Sequence, residues 1–251
     1  PPHSMNVGMT HTAGSCSSSP HRGNSLSTYA IPCRIPTGNS TLIHKACCSQ
    51  PVVSVILGLV KKESIITLPN PHLRQKSQRV HVVTDDTRRL VQNMTDASLD
   101  WEDSRPHEIS AALAAVQIDT LERVIIVRSD FDNKDVRDFI ALINPEIVKY
   151  EGKLLEDYEG CLSVDGIYGK VKRYERIRVK ALDLDGNEVR IKVEGFLARV
   201  IQHEVDHCNG IVFIDHIREQ HDAFYKLDSR GELKPLDYTT HIGNNHDLWE
   251  D

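Results

Sequence analysis

The sequence predicts an α+β fold in which antiparallel β-sheets surround one central helix, with a second helix near the start of the domain. Three observations carry this prediction. A nearly continuous apolar run at residues 196–201, with the spacing of a buried helix, leads into His203. The β-branched run at residues 124–127 is typical of a strand, and Asp-Gly at 185–186 separates two extended stretches in the manner of a β-hairpin.

Each element has its own local pattern. In residues 85–99, Leu90 and Met94 stand at helical spacing, which predicts the first helix. The expected strands lie at residues 123–128, 139–144, 146–149, 177–184 and 189–193. After Tyr225 the chain is polar and contains turn-forming glycine and proline, which predicts an irregular tail.

Charge and composition narrow the function classes. The 251 residues carry a formal net charge of -6, which argues against a nucleic-acid-binding protein. The sequence contains no apolar run of about 18 residues, the length that a membrane helix needs. Six cysteines lack the regular spacing of a disulfide framework, which favours a reducing compartment. We interpret Cys208 as a small buried apolar residue rather than as a ligand.

The first 62 residues contain no Asp or Glu, are rich in Ser and Thr, and carry scattered Arg and Lys. This composition is typical of an organellar transit segment and predicts a mitochondrion or another organelle as the destination. The alternatives are a disordered extension and a cytoplasmic protein. The apolar run at residues 52–60 is too short for a membrane helix, and it either ends the leader or packs on the domain as an added strand.

Residues 203–207 read His-Glu-Val-Asp-His. Positions four apart stand on the same face of a helix, so His203 and His207 can bind one metal ion together. Glu204 lies about 100° round the helix axis from His203, close enough to reach a water at that metal. Two ligands and a base are therefore expected from one helical turn. Asp206 either orients the helix or one of the metal ligands, or it is a solvated helix residue.

A catalytic metal needs a third protein ligand. Phe213 stands where the pattern His-Glu-x-x-His-x-x-Gly-x-x-His would place a histidine, and Glu232 lies in a segment that glycine and proline interrupt. Upstream, residues 159–163 read Glu-Gly-Cys-Leu-Ser between two expected strands. Cys161 is therefore the better candidate, and it completes a Cys-His-His donor set.

These motifs, preceded by Leu-Ala-Ala-Val-Gln at 113–117, resemble the peptide deformylase family, whose members remove formate from the N-terminal methionine of new chains. The likeness covers residues 65–224. It implies a catalytic domain at residues 63–225, between the leader at 1–62 and a polar tail at 226–251. Four positions depart from the family pattern: Ser110 and Ala112 replace two glycines, Asp165 replaces the proline of Val-Pro-Gly, and Tyr168 replaces an arginine.

The resemblance implies a role for each candidate residue. Cys161, His203 and His207 would hold the metal, and Glu204 would take a proton from the attacking water. The Gln117 side-chain amide and the Leu162 backbone N–H would donate to the developing oxyanion. Without the resemblance, Gln117 reads as a polar cap at a strand end. The residues expected to bind substrate are Ser110, Ala112, Glu159, Gly160, Phe196 and Val200, although ordinary core packing explains Phe196 and Val200 equally well.

The implied cofactor is one divalent metal, with Fe(II) expected in vivo and Zn(II) in purified protein, because the donor set suits several transition metals. The implied partners are formylated N-termini of nascent chains, with ribosome association. Two alternatives stay open: a deformylase-like protein with weak or no turnover, and a zinc peptidase. Because side chains replace the two glycines, we expect low activity on short formyl-Met peptides, partly recovered by Ser110→Gly with Ala112→Gly.

Overall fold

The computed structural model describes residues 60–105, 108–131 and 133–249. Apart from the last residues of the leader, the predictions for the first 62 residues therefore lie outside the described part of the chain. Within that part, no helix is long and apolar enough to cross a membrane.

The described residues form two α-helices and seven β-strands. The helices are α1 (Asp85–Asp103) and α2 (Gly195–His207). The strands are β1 (Ala112–Ala114), β2 (Val124–Arg128), β3 (Phe139–Cys161), β4 (Val164–Leu182), β5 (Glu188–Glu194), β6 (Phe224–Leu227) and β7 (Leu233–Pro235). The α+β class is confirmed, but the strands form one antiparallel sheet in the order β1-β2-β3-β4-β6-β7, with β5 also paired to β4, rather than several sheets.

Helix α1 is the helix expected near the domain start. Its first turn contains Asp85 and Asp86, whose negative charge is favourable at a helix N-terminus. Its apolar face buries Leu90, Val91 and Met94 against side chains of β1 and β2. The packing of α1 therefore fixes the position of the segment that leads into β1.

Helix α2 is the predicted central helix. It contacts strands β1 to β5, and its apolar side chains join a cluster contributed by those strands. Because the buried face continues through residues 198–205, the histidine motif at its C-terminal end is also inside the protein. His203 is 9% exposed and His207 is fully buried.

Strands β3 and β4 form a long hairpin that closes between Cys161 and Val164. The expected strands on both sides of the Gly-Cys turn are thus confirmed, although their length was not foreseen. Register shifts interrupt the ladder at four places, which allows such long strands to bend. The hairpin of β4 and β5 around Gly186 is confirmed as well, and Asp183 binds the backbone of the turn.

The expectation of an irregular tail after Tyr225 was wrong. Strand β6 pairs with β4 and β7 pairs with β6, so this segment extends the sheet. Further along, Ile242 and Leu248 are buried in a cluster with Phe213 and Ile214. A few apolar residues spaced along a polar segment were enough to fold it back onto the domain.

Replacing Ile242 with alanine is therefore expected to lower the free energy of unfolding by about 2–5 kcal/mol, because it leaves a cavity in this cluster. Urea denaturation of both proteins measures the difference. His246→Ala, an exposed neighbour, is the control and should change the value by less than about 0.5 kcal/mol. Equal stability of Ile242→Ala and the parent would show that the tail does not contribute to the fold.

Candidate active site

The structure brings the three predicted donors together. Cys161 ends β3, while His203 and His207 stand one turn apart on α2, and their ligand atoms all lie within 4.8 Å of one another. The Cys161 Sγ atom is 3.2 Å from His207 Nε2. A thiol and two imidazoles at this separation can share one ion, and such soft sulfur and nitrogen donors suit a transition metal.

The surroundings of these donors also fit a bound cation. Among the described residues, the buried Glu204 Oε2 has no hydrogen-bond partner. Burial and the neighbouring His203 lower the pKa of His207, which favours its neutral imidazole. Buried polar atoms without partners are costly, which argues that the site is built for a group that these residues receive.

The Glu159 carboxylate binds one ring nitrogen of His203 and so orients the imidazole. Its Oε2 atom lies 3.0 Å from His203 Nδ1, and Arg173 and Arg199 also bind the carboxylate. Burial alone would raise the pKa of Glu159, but the hydrogen bonds from His203 and Arg173 bring it well below its usual range. A charged carboxylate at Nδ1 directs the other ring nitrogen towards Cys161.

The prediction that Glu159 binds substrate was therefore wrong. Its side chain is 4% exposed, and its oxygens are occupied by His203, Arg173 and Arg199. The carboxylate supports the donor cluster instead of facing the cleft.

The two arginines were missed by the sequence analysis. Arg173 bridges Glu159 and Asp206, and Asp206 also accepts a hydrogen bond from His216 at 2.7 Å. Asp206 is therefore tied to the donor cluster through Arg173 and Glu159 and is not a solvated helix residue. A signal for Arg199 existed: a charged residue inside an apolar helix run must find a buried partner.

Glu204 is 4% exposed and lies beside the donor cluster on α2. Burial raises the pKa of Glu204 to about 7. Gln117, in the short helical turn after β1, reaches the donor cluster from another segment, and its Oε1 accepts the Ala114 N–H at 2.9 Å. This bond turns Gln117 Nε2 towards Ser163 Oγ, at 3.1 Å, and Cys161 Sγ, at 3.6 Å. Ser163, which also directs its N–H to the sulfur, was not foreseen as a site residue.

Strand β1 lies at the end of the sheet, so one of its edges has no partner strand within the described part of the chain and is called the open edge below. Arg128 N–H donates to Ala111 O, and in an antiparallel ladder the outward and inward backbone groups alternate. The N–H and C=O of Ala112 therefore point away from β2, towards the open edge. The Ala112 methyl group lies in the same apolar cluster as Val200.

Ser110 does not have the role predicted for it. Its hydroxyl bonds Ser98 on α1, and its backbone N–H donates to Glu102 Oε2 at 3.0 Å. Glu102 is itself held by the buried Arg128. Because the side chain faces α1 and not the cleft, Ser110→Gly is no longer expected to recover activity.

The remaining predicted residues divide between surface and core. Gly160 is exposed beside Cys161, and Leu162 is half-buried in the turn that follows. Phe196 is 46% exposed on the first turn of α2 and meets Phe131 edge to face, with ring centroids 5.0 Å apart. Val200 is 7% exposed and packs in the core. Phe131, from the segment between β2 and β3, was not predicted.

A half-buried thiol and two buried imidazoles beside a buried carboxylate, on an α+β scaffold, define the class of metal-dependent hydrolases with a Cys-His-His donor set. Comparison with known proteins agrees. The chain belongs to the polypeptide deformylase family, whose model matches residues 62–223.

Curated relatives and solved structures support this assignment. A peptide deformylase of Thermomicrobium roseum is 43% identical over 172 residues, which cover 67% of this chain and 93% of that protein. The K1U-bound class I type b peptide deformylase of Acinetobacter baumannii matches with a TM-score of 0.56 at 31% identity, over 64% of this chain and 100% of that one. The Synechococcus elongatus enzyme in complex with actinonin gives 0.55 at 32% identity, over 61% and 78%.

The resemblance predicted from the motifs is thereby confirmed, and with it the assignment to hydrolases of protein biosynthesis. A zinc peptidase and a protein without turnover are not favoured.

Proposed function

We propose that this chain removes the formyl group from N-terminal formylmethionine, using one divalent metal ion held by Cys161, His203 and His207. The observation that carries the proposal is the placement of these donors within 4.8 Å of one another. The buried Glu204 lies on the same helix as two of these donors. Gln117, which follows β1 in the chain, contacts the third donor, Cys161. The products are formate and a peptide with a free amino terminus.

Bound in this cluster, the ion would supply a Lewis acid that makes water nucleophilic near neutral pH. Glu204 takes the proton as water attacks the formyl carbon, because its Oε2 has no partner among the described residues. The same carboxyl then delivers the proton to the leaving amine. Burial of Glu204 keeps bulk water from competing for this proton.

The attack places negative charge on the formyl oxygen, which needs hydrogen-bond donors in advance. Gln117 can donate from Nε2 because the Ala114 N–H fixes the other end of its amide. The Leu162 N–H, in the turn after Cys161, is the second proposed donor. Both groups belong to short, anchored segments, so the donors need little rearrangement.

The substrate backbone pairs with the open edge of β1, where the N–H and C=O of Ala112 are available. Gly160 forms the opposite side of this cleft. The methionine side chain lies against α2 between Phe196 and the wall to which Val200 contributes. Phe131 supports Phe196 there through their edge-to-face contact.

The metal, compartment and partners complete the proposal. Fe(II) is the proposed ion in vivo, with Zn(II) present in purified protein, since the donor set accepts both. The first 62 residues contain no Asp or Glu, and this composition supports import into a mitochondrion or another organelle. There the protein would act on nascent chains, in association with the ribosome.

The test is formate release from formyl-Met-Ala-Ser by anaerobically purified, iron-loaded protein, together with the metal content per chain. We expect one equivalent of metal and turnover that a chelator abolishes. Protein that holds one equivalent of iron but releases no formate would overturn the proposed function.

A further inference from the structure

Two of the positions that depart from the family pattern, Asp165 and Tyr168, belong to one hydrogen-bonded network. Arg105 donates to Glu108 Oε1 at 3.2 Å and to Asp165 Oδ1 at 2.9 Å, and the Tyr168 hydroxyl donates to Glu108 Oε2. The Arg105 guanidinium also lies over the Trp101 ring, 4.5 Å from its centroid. Each polar side chain of the network is thus held by at least one other member.

The network joins the two sides of the substrate cleft. Tyr168 pairs with Gly160 in the β3–β4 ladder, and its ring lies so close that a Cβ on Gly160 would be 2.6 Å from Tyr168 Cε1. Glu108 belongs to the opposite side, in the segment that leads through Ser110 into β1. The Tyr168–Glu108 hydrogen bond therefore crosses between the strand beside Gly160 and the entry to β1.

The direction of the substrate follows from the proposed function, on which this inference rests. The reacting N-terminus must lie at Cys161 and Gln117, beyond the C-terminal end of β1. The rest of the peptide therefore runs antiparallel to β1, back past Ala112. Two extended chains that lie side by side both advance about 3.3 Å per residue. If the substrate methionine lies near Ala112, the third to fifth substrate residues therefore lie near the segment between Ser110 and Glu108.

The network itself carries more negative than positive charge. The network contains two carboxylates and one guanidinium, and its side chains reach solvent: Arg105 is 34% exposed, Glu108 23% and Asp165 73%. Tyr168 adds no charge, because burial and the neighbouring Glu108 raise the pKa of its hydroxyl above the usual range. A charged substrate residue passing here would interact with carboxylates whose positions are already fixed.

We propose that Glu108 and Asp165, positioned by Arg105 and Tyr168, select substrates by the charge of the third to fifth residues. Lysine or arginine at these positions is favoured, and aspartate or glutamate is disfavoured. The attraction acts across a partly exposed surface, so a preference of about fivefold in kcat/KM is expected for a change of sign at two positions.

The experiment compares two peptides, formyl-Met-Ala-Lys-Lys-Ala and formyl-Met-Ala-Glu-Glu-Ala, at low and high salt. With wild-type protein, kcat/KM should favour the lysine peptide, and about 0.5 M salt should reduce the ratio. Glu108→Gln and Asp165→Asn should each lower the ratio, and the double variant should bring it close to one. Asp185→Asn, which removes an exposed charge from the β4–β5 turn, is the matched control and should keep the wild-type ratio.

The two proposals fail in different ways. Formate release from both peptides at equal kcat/KM, or a double variant that keeps the wild-type ratio, would overturn the charge selection and leave the proposed function intact. No formate from either peptide would overturn the proposed function and this inference together. Thermal midpoints of all variants, expected within a few degrees of wild type, separate these outcomes from unfolding.

Discussion

Replacing Glu204 with glutamine is expected to lower kcat for formate release by at least about 10²-fold while the metal content stays unchanged. Glutamine keeps the shape of the side chain but cannot accept the proton of the attacking water. The substitution leaves the three metal donors, Cys161, His203 and His207, unchanged. Single-turnover formate release and metal analysis on the same preparation measure both quantities.

Glu194→Gln is a suitable control for this variant, because Glu194 is an exposed glutamate at the start of the same helix. It should leave both kcat and metal content at the wild-type values. Loss of the metal from Glu204→Gln would show that Glu204 supports the donor cluster rather than proton transfer. Full activity of the variant would assign the base to another group.

Replacing Cys161 with serine is expected to weaken metal binding by more than the 10–100-fold that changes around a metal ligand typically cost. A serine hydroxyl stays protonated near neutral pH and does not replace a thiolate. Only His203 and His207 would remain, and two imidazoles leave the ion without its sulfur donor. Titration against a competing chelator of known affinity gives the difference.

The chain supplies a matched control in Cys208, which directly follows His207 and is fully buried. Burial raises the pKa of Cys208 to about 12, and its side chain packs in the core. Cys208→Ser should therefore lower the stability and leave metal affinity within about twofold of wild type. Retained affinity in Cys161→Ser would instead mean that a different third ligand completes the site, as in the peptidase alternative.

The parts of the site that sequence reasoning found are those whose geometry is local. His203 and His207 share a helix face by spacing alone, and Glu204 follows within the same turn. Cys161 required a second step, the comparison of candidate third ligands, but it also lies in a recognisable turn between strands. The helices and strands of the middle were predicted for the same reason, since periodicity is a local property.

The features of the structure that the sequence did not predict depend on contacts between segments that are distant in the chain. Arg173 reaches Glu159 across the β3–β4 ladder, and the pairing register of these two long strands leaves no mark in the sequence pattern. Ser110 was assigned to the cleft from the family resemblance, whereas its partners, Ser98 and Glu102, lie on a separate helix that the local pattern does not connect to it. The paired strands after Tyr225 were missed because a polar segment can be ordered by a few anchoring contacts.

One such long-range contact joins the segment before α1 to the C-terminal segment of the described residues. Arg74 donates to Leu248 O at 3.0 Å and binds Asp215, so a contact with a sequence separation of 174 residues closes the structure. Closing a loop of this length carries a large entropic cost, and contacts of this kind form after local ones. A chain whose tail is not docked would therefore leave Phe213 and Ile214 without the side chains of Ile242 and Leu248 that pack in the same cluster. The apolar surface around Phe213 and Ile214 would then be exposed to solvent and prone to aggregation.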